Sequence, residues 1–119
     1  MKNYTFENAV ENPNFPAVKD VTPDDLKANI EKVHVIDVRR PDEWDGELGH
    51  IEEAELLVLD TLPERFADLP KDETIVFICR SGNRSAQASQ FCIDQGFTKT
   101  YNMAGGMLLW NEKEYPIVK

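Results

Sequence analysis

The sequence predicts an α/β domain in which helices cover both faces of a mainly parallel, five-stranded sheet. Apolar runs of strand length alternate with helical segments along the chain. The strand candidates are rich in β-branched residues and almost continuously apolar, which is typical of parallel strands covered on both faces. Strands that alternate with helices in this way form three layers, α/β/α, and bind their ligands beyond the carboxyl ends of the strands.

The chain is predicted to form a single domain over residues 18–119, preceded by an arm over residues 1–17. Its 119 residues suffice for one domain and are too few for two. The apolar fraction of 41% and the charged fraction of 29% are ordinary for a globular protein with a core. The arm is rich in Asn, Glu and Pro and is interpreted as an extended segment.

The first elements of the domain are predicted to be a strand over residues 17–21 and the helix that follows it. Thr22 is a suitable N-cap for this helix. Pro23 suits the first helical position, because its missing N–H would have no partner there. Leu26 and Ile30 lie four positions apart and give the helix one apolar face.

The middle of the chain continues the alternation of strands and helices. A second strand over residues 33–38 precedes a short helix over residues 40–44. A third strand is predicted over residues 55–59 and a second short helix over residues 62–69. The fourth strand, over residues 74–78, is the most apolar of the five.

The last third of the chain holds the longest helix candidate, over residues 86–95, which ends at a glycine. It places Ala88, Phe91 and Cys92 on one apolar face. A fifth strand follows over residues 99–103. The pair Gly105-Gly106 then opens the last helix.

Cys79 stands directly after the fourth strand and opens a loop that leads into this longest helix. Backbone N–H groups converge at such a helix start and its dipole is positive, so an anion binds there and a thiolate is favoured. Free cysteines are more often small core residues, but a polar loop with two arginines is poor core material. Cys79 is therefore predicted to be a catalytic nucleophile. The predicted substrate-binding residues are Arg80, Ser81, Gly82, Asn83, Arg84 and Ser85.

The second cysteine, Cys92, is not predicted to pair with Cys79. It lies about 13 Å along the helix at 1.5 Å per residue, whereas a disulfide requires Cα atoms within about 7 Å. Two histidines and no close ligand spacing predict no metal site. Cys92 is interpreted as an inert residue of the core-facing helix side.

Several motifs around the cysteine loop lead to a family resemblance. Four residues separate Cys79 from Arg84, giving C-x4-R. The chain also contains TPDDL at 22–26, VIDVR at 35–39, GHIEEA at 49–54, GGMLLW at 105–110 and YP at 115–116. In this order and spacing, residues 18–118 resemble the rhodanese family of sulfurtransferases.

The resemblance implies a rhodanese-like domain that acts as a thiosulfate sulfurtransferase. In this family a cysteine takes a sulfane sulfur from a donor such as thiosulfate, forms a persulfide and passes the sulfur to a thiophilic acceptor. Cys79 matches that cysteine, and the loop N–H groups would stabilise the persulfide anion. Arg80 and Arg84 would attract the anionic donor. No cofactor is implied, and the acceptor is a thiol or a sulfur-carrier protein.

Two alternative functions remain open on the same fold. Related phosphatases and arsenate reductases carry one more loop residue, C-x5-R, and so form a wider cradle for a tetrahedral oxyanion. The shorter loop of this chain favours sulfur transfer. A non-catalytic module that binds a partner or relays sulfur within a larger complex is the other alternative.

Three further residues gain expected roles from the resemblance. Asp37 is expected to pair with a loop arginine or with loop N–H groups and so to hold the cradle open. Arg39 is expected either to bind substrate or to buttress the fold. His50 is expected to hold the fold together. Glu53 departs from the family, which usually has glycine before Ala54.

The net charge of −9 and the pI near 4.6 exclude some classes of partner. So acidic a chain repels nucleic-acid phosphates and anionic lipid headgroups. No segment approaches the roughly 20 apolar residues of a membrane span, and the N-terminus lacks the apolar core of a signal peptide. We therefore expect a cytoplasmic protein, monomeric, with no nucleic-acid or membrane partner.

Overall fold

The computed structural model describes residues 1–119 and contains one six-stranded sheet flanked by five α-helices. The strands are β1 Val10–Glu11, β2 Lys19–Val21, β3 His34–Asp37, β4 Ala54–Leu56, β5 Ile75–Ile78 and β6 Thr100–Met103. The helices are α1 Pro23–Ala28, α2 Pro41–Trp44, α3 Leu62–Arg65, α4 Asn83–Asp94 and α5 Gly106–Glu112. Short 3₁₀ turns are formed by Ile30–Lys32, Leu59–Thr61 and Phe66–Asp68. No helix has both the length and the apolar composition needed to cross a membrane.

The predicted α/β class with a mainly parallel sheet is confirmed, but the predicted number of strands is wrong by one. The strand order is β1-β2-β6-β5-β3-β4, and every neighbouring pair except β1 and β2 is parallel. The additional strand, β1, comes from the N-terminal arm and pairs antiparallel with β2 at the sheet edge. It has two residues, both exposed, and so short a strand has no apolar alternation that a sequence could reveal.

Two apolar cores lie on opposite faces of the sheet. Successive side chains of a strand point to opposite faces, and on β5 the residues Val76 and Ile78 join one core while Ile75 and Phe77 join the other. All four are buried. The central position of β5 between β3 and β6 explains the unbroken apolar run in the sequence.

Helix α1 starts where the sequence predicts. The Asp25 backbone N–H donates to Thr22 Oγ1 at 3.1 Å, and Pro23 occupies the first turn. The helix ends at Ala28, however, so Ile30 lies in the following 3₁₀ turn rather than on the helix. The long α4 begins directly at the cysteine loop. The predicted helix over residues 62–69 is only partly α-helical, since 3₁₀ geometry replaces it from residue 66.

The N-terminal arm packs against the sheet. Phe6 is 5% exposed and lies in the same core as Trp110. Its ring makes edge contacts with Tyr4 and Tyr101, with both centroid distances at 4.9 Å. The arm is also tied to the residue before β5, since the Tyr4 backbone N–H donates to the side-chain oxygen Thr74 Oγ1 at 2.8 Å.

Candidate active site

Cys79 lies at the carboxyl end of the central strand β5, where helix α4 begins. Cys79 is only 1% exposed to solvent. The Gly82 N–H donates to the Cys79 sulfur at 3.1 Å, and Ser85 Oγ lies 3.2 Å from the same sulfur. Gly82, the residue before α4, has φ +108°, a left-handed conformation that glycine adopts without steric cost. The turn at Gly82 therefore directs its own backbone N–H toward the sulfur.

The loop offers further N–H donors beyond Gly82. Since α4 begins at Asn83, the N–H groups of its first turn have no acceptor within the helix. No backbone or side-chain acceptor in the protein takes the N–H groups of Arg80, Ser81, Asn83, Arg84 or Ser85. Together with the positive helix dipole, these donors suit an anion carried by the Cys79 sulfur.

The start of helix α5 holds the cysteine loop from the other side. Met107 N–H donates to the Cys79 carbonyl at 2.8 Å, and Leu108 N–H donates to the Arg80 carbonyl at 3.0 Å. A Cβ atom at Gly106 would lie 2.5 Å from the carbonyl oxygens of Cys79 and Arg80. Gly106 is therefore needed because two backbone segments meet there without room for a side chain.

Arg84 is held by a partner that the sequence reasoning missed. Its two terminal nitrogens donate to the two carboxylate oxygens of Glu43, in helix α2, at 2.7 Å and 2.8 Å. The hydrogen bonds from Arg84 lower the pKa of the Glu43 carboxyl from 4.5 to about 2. The hydrogen bonds to Glu43 in turn raise the pKa of Arg84, and the negative charges of Cys79 and Asp37 act in the same direction. Arg84, in the first turn of α4, thus has its charge compensated by Glu43.

Glu43→Gln is expected to lower the stability of the fold by about 1–2 kcal/mol at pH 7, a reduced figure because the Arg84 side chain is 30% exposed. Since the folded pKa of Glu43 is depressed, the contribution is full above its ordinary value of 4.5 and is lost as pH falls toward about 2. Urea unfolding of both proteins between pH 3 and pH 7 measures this difference. The matched control is Glu47→Gln, an exposed acid of the same surface. A difference that stays constant to pH 3 would contradict the prediction.

Asp37 does not contact the cysteine loop, contrary to the expected pairing with a loop arginine or loop N–H groups. Its carboxylate accepts from the Arg39 backbone N–H at 3.0 Å and from Arg39 Nη2 at 2.8 Å. Both residues are fully buried. Arg39 Nη2 also donates to the Gly49 carbonyl at 2.7 Å, and Nη1 donates to the Glu43 carbonyl. Arg39 thus links β3 to α2 and to the following loop, and the pair buttresses the elements that carry Glu43.

Beside the loop lies an open hollow of about 470 Å³. Arg80 lines it together with Leu108 of α5 and the acids Asp42, Glu43 and Glu47. Arg80 is exposed, and none of the ion pairs of the chain includes it. It is therefore the loop cation whose charge is available to a ligand.

His50 makes one stacking contact and one polar contact, both with Trp44. The His50 ring stacks on Trp44 at 3.7 Å between centroids, and its Nδ1 lies 2.9 Å from the Trp44 carbonyl oxygen.

Cys92 is buried and free, as is Cys79, and burial raises the pKa of its thiol to about 12. So high a pKa keeps Cys92 protonated and unreactive at neutral pH.

Comparisons with known proteins agree with this geometry. The family described as the rhodanese-like domain matches residues 22–113, which include the strands β3 to β6 and the whole cysteine loop. The chain belongs to the rhodanese-like domain family. The three-layer fold predicted from the sequence is therefore that of a rhodanese-like domain.

Relatives of this rhodanese-like protein include proteins named sulfurtransferases. One from Allochromatium vinosum, named sulfurtransferase, is 37% identical over 91 residues, which cover 76% of this chain and 83% of that protein. The crystal structure of a rhodanese-related protein from Thermoplasma volcanium has a TM-score of 0.75 at 33% identity and covers 83% of this chain and 96% of its own. A human single-domain sulfurtransferase has a TM-score of 0.69 at 25% identity over 79% of this chain and 96% of its own.

Proposed function

We propose that this rhodanese-like protein is a sulfurtransferase that carries a sulfane sulfur on Cys79 as a persulfide. The observation that supports this most directly is the position of the Cys79 sulfur. It lies at a helix start, 3.1 Å from one loop N–H, with further loop N–H groups that have no acceptor in the protein. The names of the relatives agree with this activity.

In the proposed loading step, the Cys79 thiolate attacks the outer sulfur of a donor such as thiosulfate. A new S–S bond forms, the S–S bond of thiosulfate breaks, and sulfite leaves with the electron pair. The persulfide keeps one negative charge on its terminal sulfur, and the loop N–H groups stabilise that charge as an oxyanion hole would. The step needs no cofactor and no oxidant.

In the unloading step, an acceptor thiolate attacks the terminal sulfur. The bond to the Cys79 sulfur breaks, and Cys79 leaves as a thiolate while the acceptor becomes a persulfide. A low-molecular-weight thiol or a sulfur-carrier protein would take the sulfur in this way. Cyanide would instead attack through its carbon and leave as thiocyanate, again releasing the Cys79 thiolate. Arg80, the exposed cation beside the hollow, attracts the anionic donor.

Persulfide loading is tested by incubating the protein with thiosulfate and measuring its intact mass. We expect the wild type and Cys92→Ser to gain one sulfur atom, and Cys79→Ser to gain none. Cys92→Ser is the matched control because Cys92 lies near the end of α4, and burial raises the pKa of its thiol to about 12. An unmodified wild type, or an equal gain on Cys79→Ser, would exclude the proposal.

A second assay separates the alternative functions. The loaded protein is mixed with cyanide or glutathione, and the unloaded protein is mixed with an aryl phosphate. Discharge to the small acceptors supports a complete enzyme, whereas loading without discharge supports a relay module. Phosphate release that depends on Cys79 would instead indicate a phosphatase.

A further inference from the structure

A row of buried polar side chains connects the catalytic cysteine to the N-terminal arm. Ser85, in the first turn of α4, donates its hydroxyl proton to Asn102 Oδ1 on β6. Asn102 Nδ2 donates to Asp20 Oδ1 on β2 at 2.9 Å. Asp20 also accepts from Asn12 Nδ2 at 3.0 Å. No residue of this row is more than 8% exposed, so water does not compete freely for these groups.

The chemistry of Asp20 fixes the orientation of Asn102. A carboxylate only accepts hydrogen bonds, so the amide nitrogen of Asn102 must face Asp20. The amide oxygen must then face Ser85. Asn102 therefore presents to Ser85 an acceptor and never a donor.

The arm fixes the other end of the row in the same way. Asn12 Oδ1 accepts from the backbone N–H groups of Asn14 and Phe15 at 2.9 Å and 3.0 Å. The amide nitrogen of Asn12 is thereby directed to Asp20. Each hydrogen bond from the arm to Ser85 has one possible direction.

Ser85 has a single proton and two neighbours that can accept it. The hydroxyl oxygen lies 3.2 Å from the Cys79 sulfur and also bonds to Asn102 Oδ1. When Cys79 is a thiolate, its sulfur needs the proton of Ser85, and Asn102 then loses its only donor in a buried place. When Cys79 is a thiol or a persulfide, the charge on that sulfur is gone and Ser85 can bond to Asn102.

We propose that Asn102 is a positioning residue that acts through Ser85 to disfavour the free thiolate relative to the persulfide. The inference rests on the proposed sulfur transfer and concerns the same site. By competing for the proton of Ser85, Asn102 makes Cys79 hold its sulfur more strongly. Asp20 and Asn12 contribute by keeping the amide oxygen of Asn102 directed at Ser85.

The other charged groups near Cys79 remain in place when Asn102 is changed. Arg84 lies on α4 and forms an ion pair with Glu43. Asp37 on β3 is paired with Arg39, and Arg80 adjoins the cysteine. A change at Asn102 or Ser85 alters none of these charges, so their effects cancel between variants.

The test compares wild type, Asn102→Leu, Ser85→Ala and the double variant by the pH dependence of Cys79 alkylation. Asn102→Leu should move the midpoint of the alkylation rate down by about one pH unit, because a buried hydrogen bond changes an equilibrium roughly tenfold. Ser85→Ala should move this midpoint up, because the charge-assisted hydrogen bond that the thiolate loses is stronger than the neutral one to Asn102 that is lost with it. The double variant should match Ser85→Ala alone. A purely structural role would not produce opposite shifts, and an unchanged or raised midpoint for Asn102→Leu would overturn the proposal.

A second measurement uses the loaded proteins. At equilibrium with a fixed ratio of glutathione to its persulfide, Asn102→Leu should retain roughly tenfold less sulfur than wild type. Equal retention would refute the role of Asn102. If no protein loads at all, the proposed sulfur transfer fails while the alkylation measurement still decides the inference.

A rearranged pair of residues covers the case in which Asn102→Leu does not fold. Asp20→Asn combined with Asn102→Asp exchanges the carboxylate and the amide between the two positions. The amide at position 20 then donates to the carboxylate at position 102, so the hydrogen bond between the two positions is kept. The acceptor facing Ser85 is then a carboxylate, and the alkylation midpoint should rise above that of wild type. In a Ser85→Ala background the same exchange should give a smaller rise, and an equal rise would overturn the proposal.

Discussion

Gly106→Ala is expected to displace the cysteine loop and to abolish sulfur loading. The added Cβ would lie 2.5 Å from the carbonyl oxygens of Cys79 and Arg80, a distance at which the backbone must move. Gly106 also has φ +55°, where a side chain costs about 1 kcal/mol. Overpacking adds about 1–3 kcal/mol, so we expect a loss of roughly 2–4 kcal/mol in the free energy of unfolding.

The matched control for this prediction is Gly96→Ala. Gly96 also has a positive φ, +94°, but its Cβ would approach only the flexible end of Lys71. It should therefore show the conformational cost without displacing the loop. Urea unfolding and the rate of Cys79 alkylation measure the two effects. Equal losses for the two variants, with normal alkylation of Gly106→Ala, would show that the loop does not depend on this close approach.

The site could be predicted from sequence where its parts are close along the chain. The strand, the cysteine, the glycine turn and the helix start follow each other within residues 75–94. The local geometry that results, with the Gly82 N–H directed at the Cys79 sulfur beside a helix start, depends on these neighbours alone. The start of α1 was predictable for the same reason, because the N-cap Thr22 and Pro23 act within one turn.

The partners that cross the fold could not be predicted. Arg84 and Glu43 are separated by 41 positions, and Glu43 is one of 22 acidic residues with no local sign of its role. Asp20 and Asn102 are separated by 82 positions. Such pairs depend on the order of strands in the sheet, which places β2 beside β6 although they are far apart in sequence.

Asp37 shows how the sequence reasoning can find the right residue and the wrong partner. A buried carboxylate at the end of a strand does need a cation, and the loop arginines were the evident choice. The guanidinium of Arg39, two positions further on, instead folds back onto the same carboxylate. Arg39 supplies every hydrogen bond that the Asp37 carboxylate accepts, and the carboxylate makes none to the cysteine loop.

Arg39→Met is expected to destabilise the fold by about 3–5 kcal/mol, because it leaves a buried charge without a partner. Asp37 is fully buried and takes its side-chain hydrogen bonds only from Arg39. The Gly49 carbonyl also loses its 2.7 Å bond from Arg39 Nη2. Methionine keeps much of the volume of the arginine stem, so the loss reports the charge and the hydrogen bonds more than the packing.

Two controls distinguish this cause from a general effect of losing an arginine. Arg40→Met removes the adjacent arginine, whose side chain is 64% exposed in its pair with Asp42, and should change stability by no more than about 1 kcal/mol. Asp37→Asn combined with Arg39→Met removes both charges and should be more stable than Arg39→Met alone. Urea unfolding at pH 7 measures all three variants. If the double variant is no more stable than the single one, the cost arises from packing around Arg39 rather than from the unpaired carboxylate of Asp37.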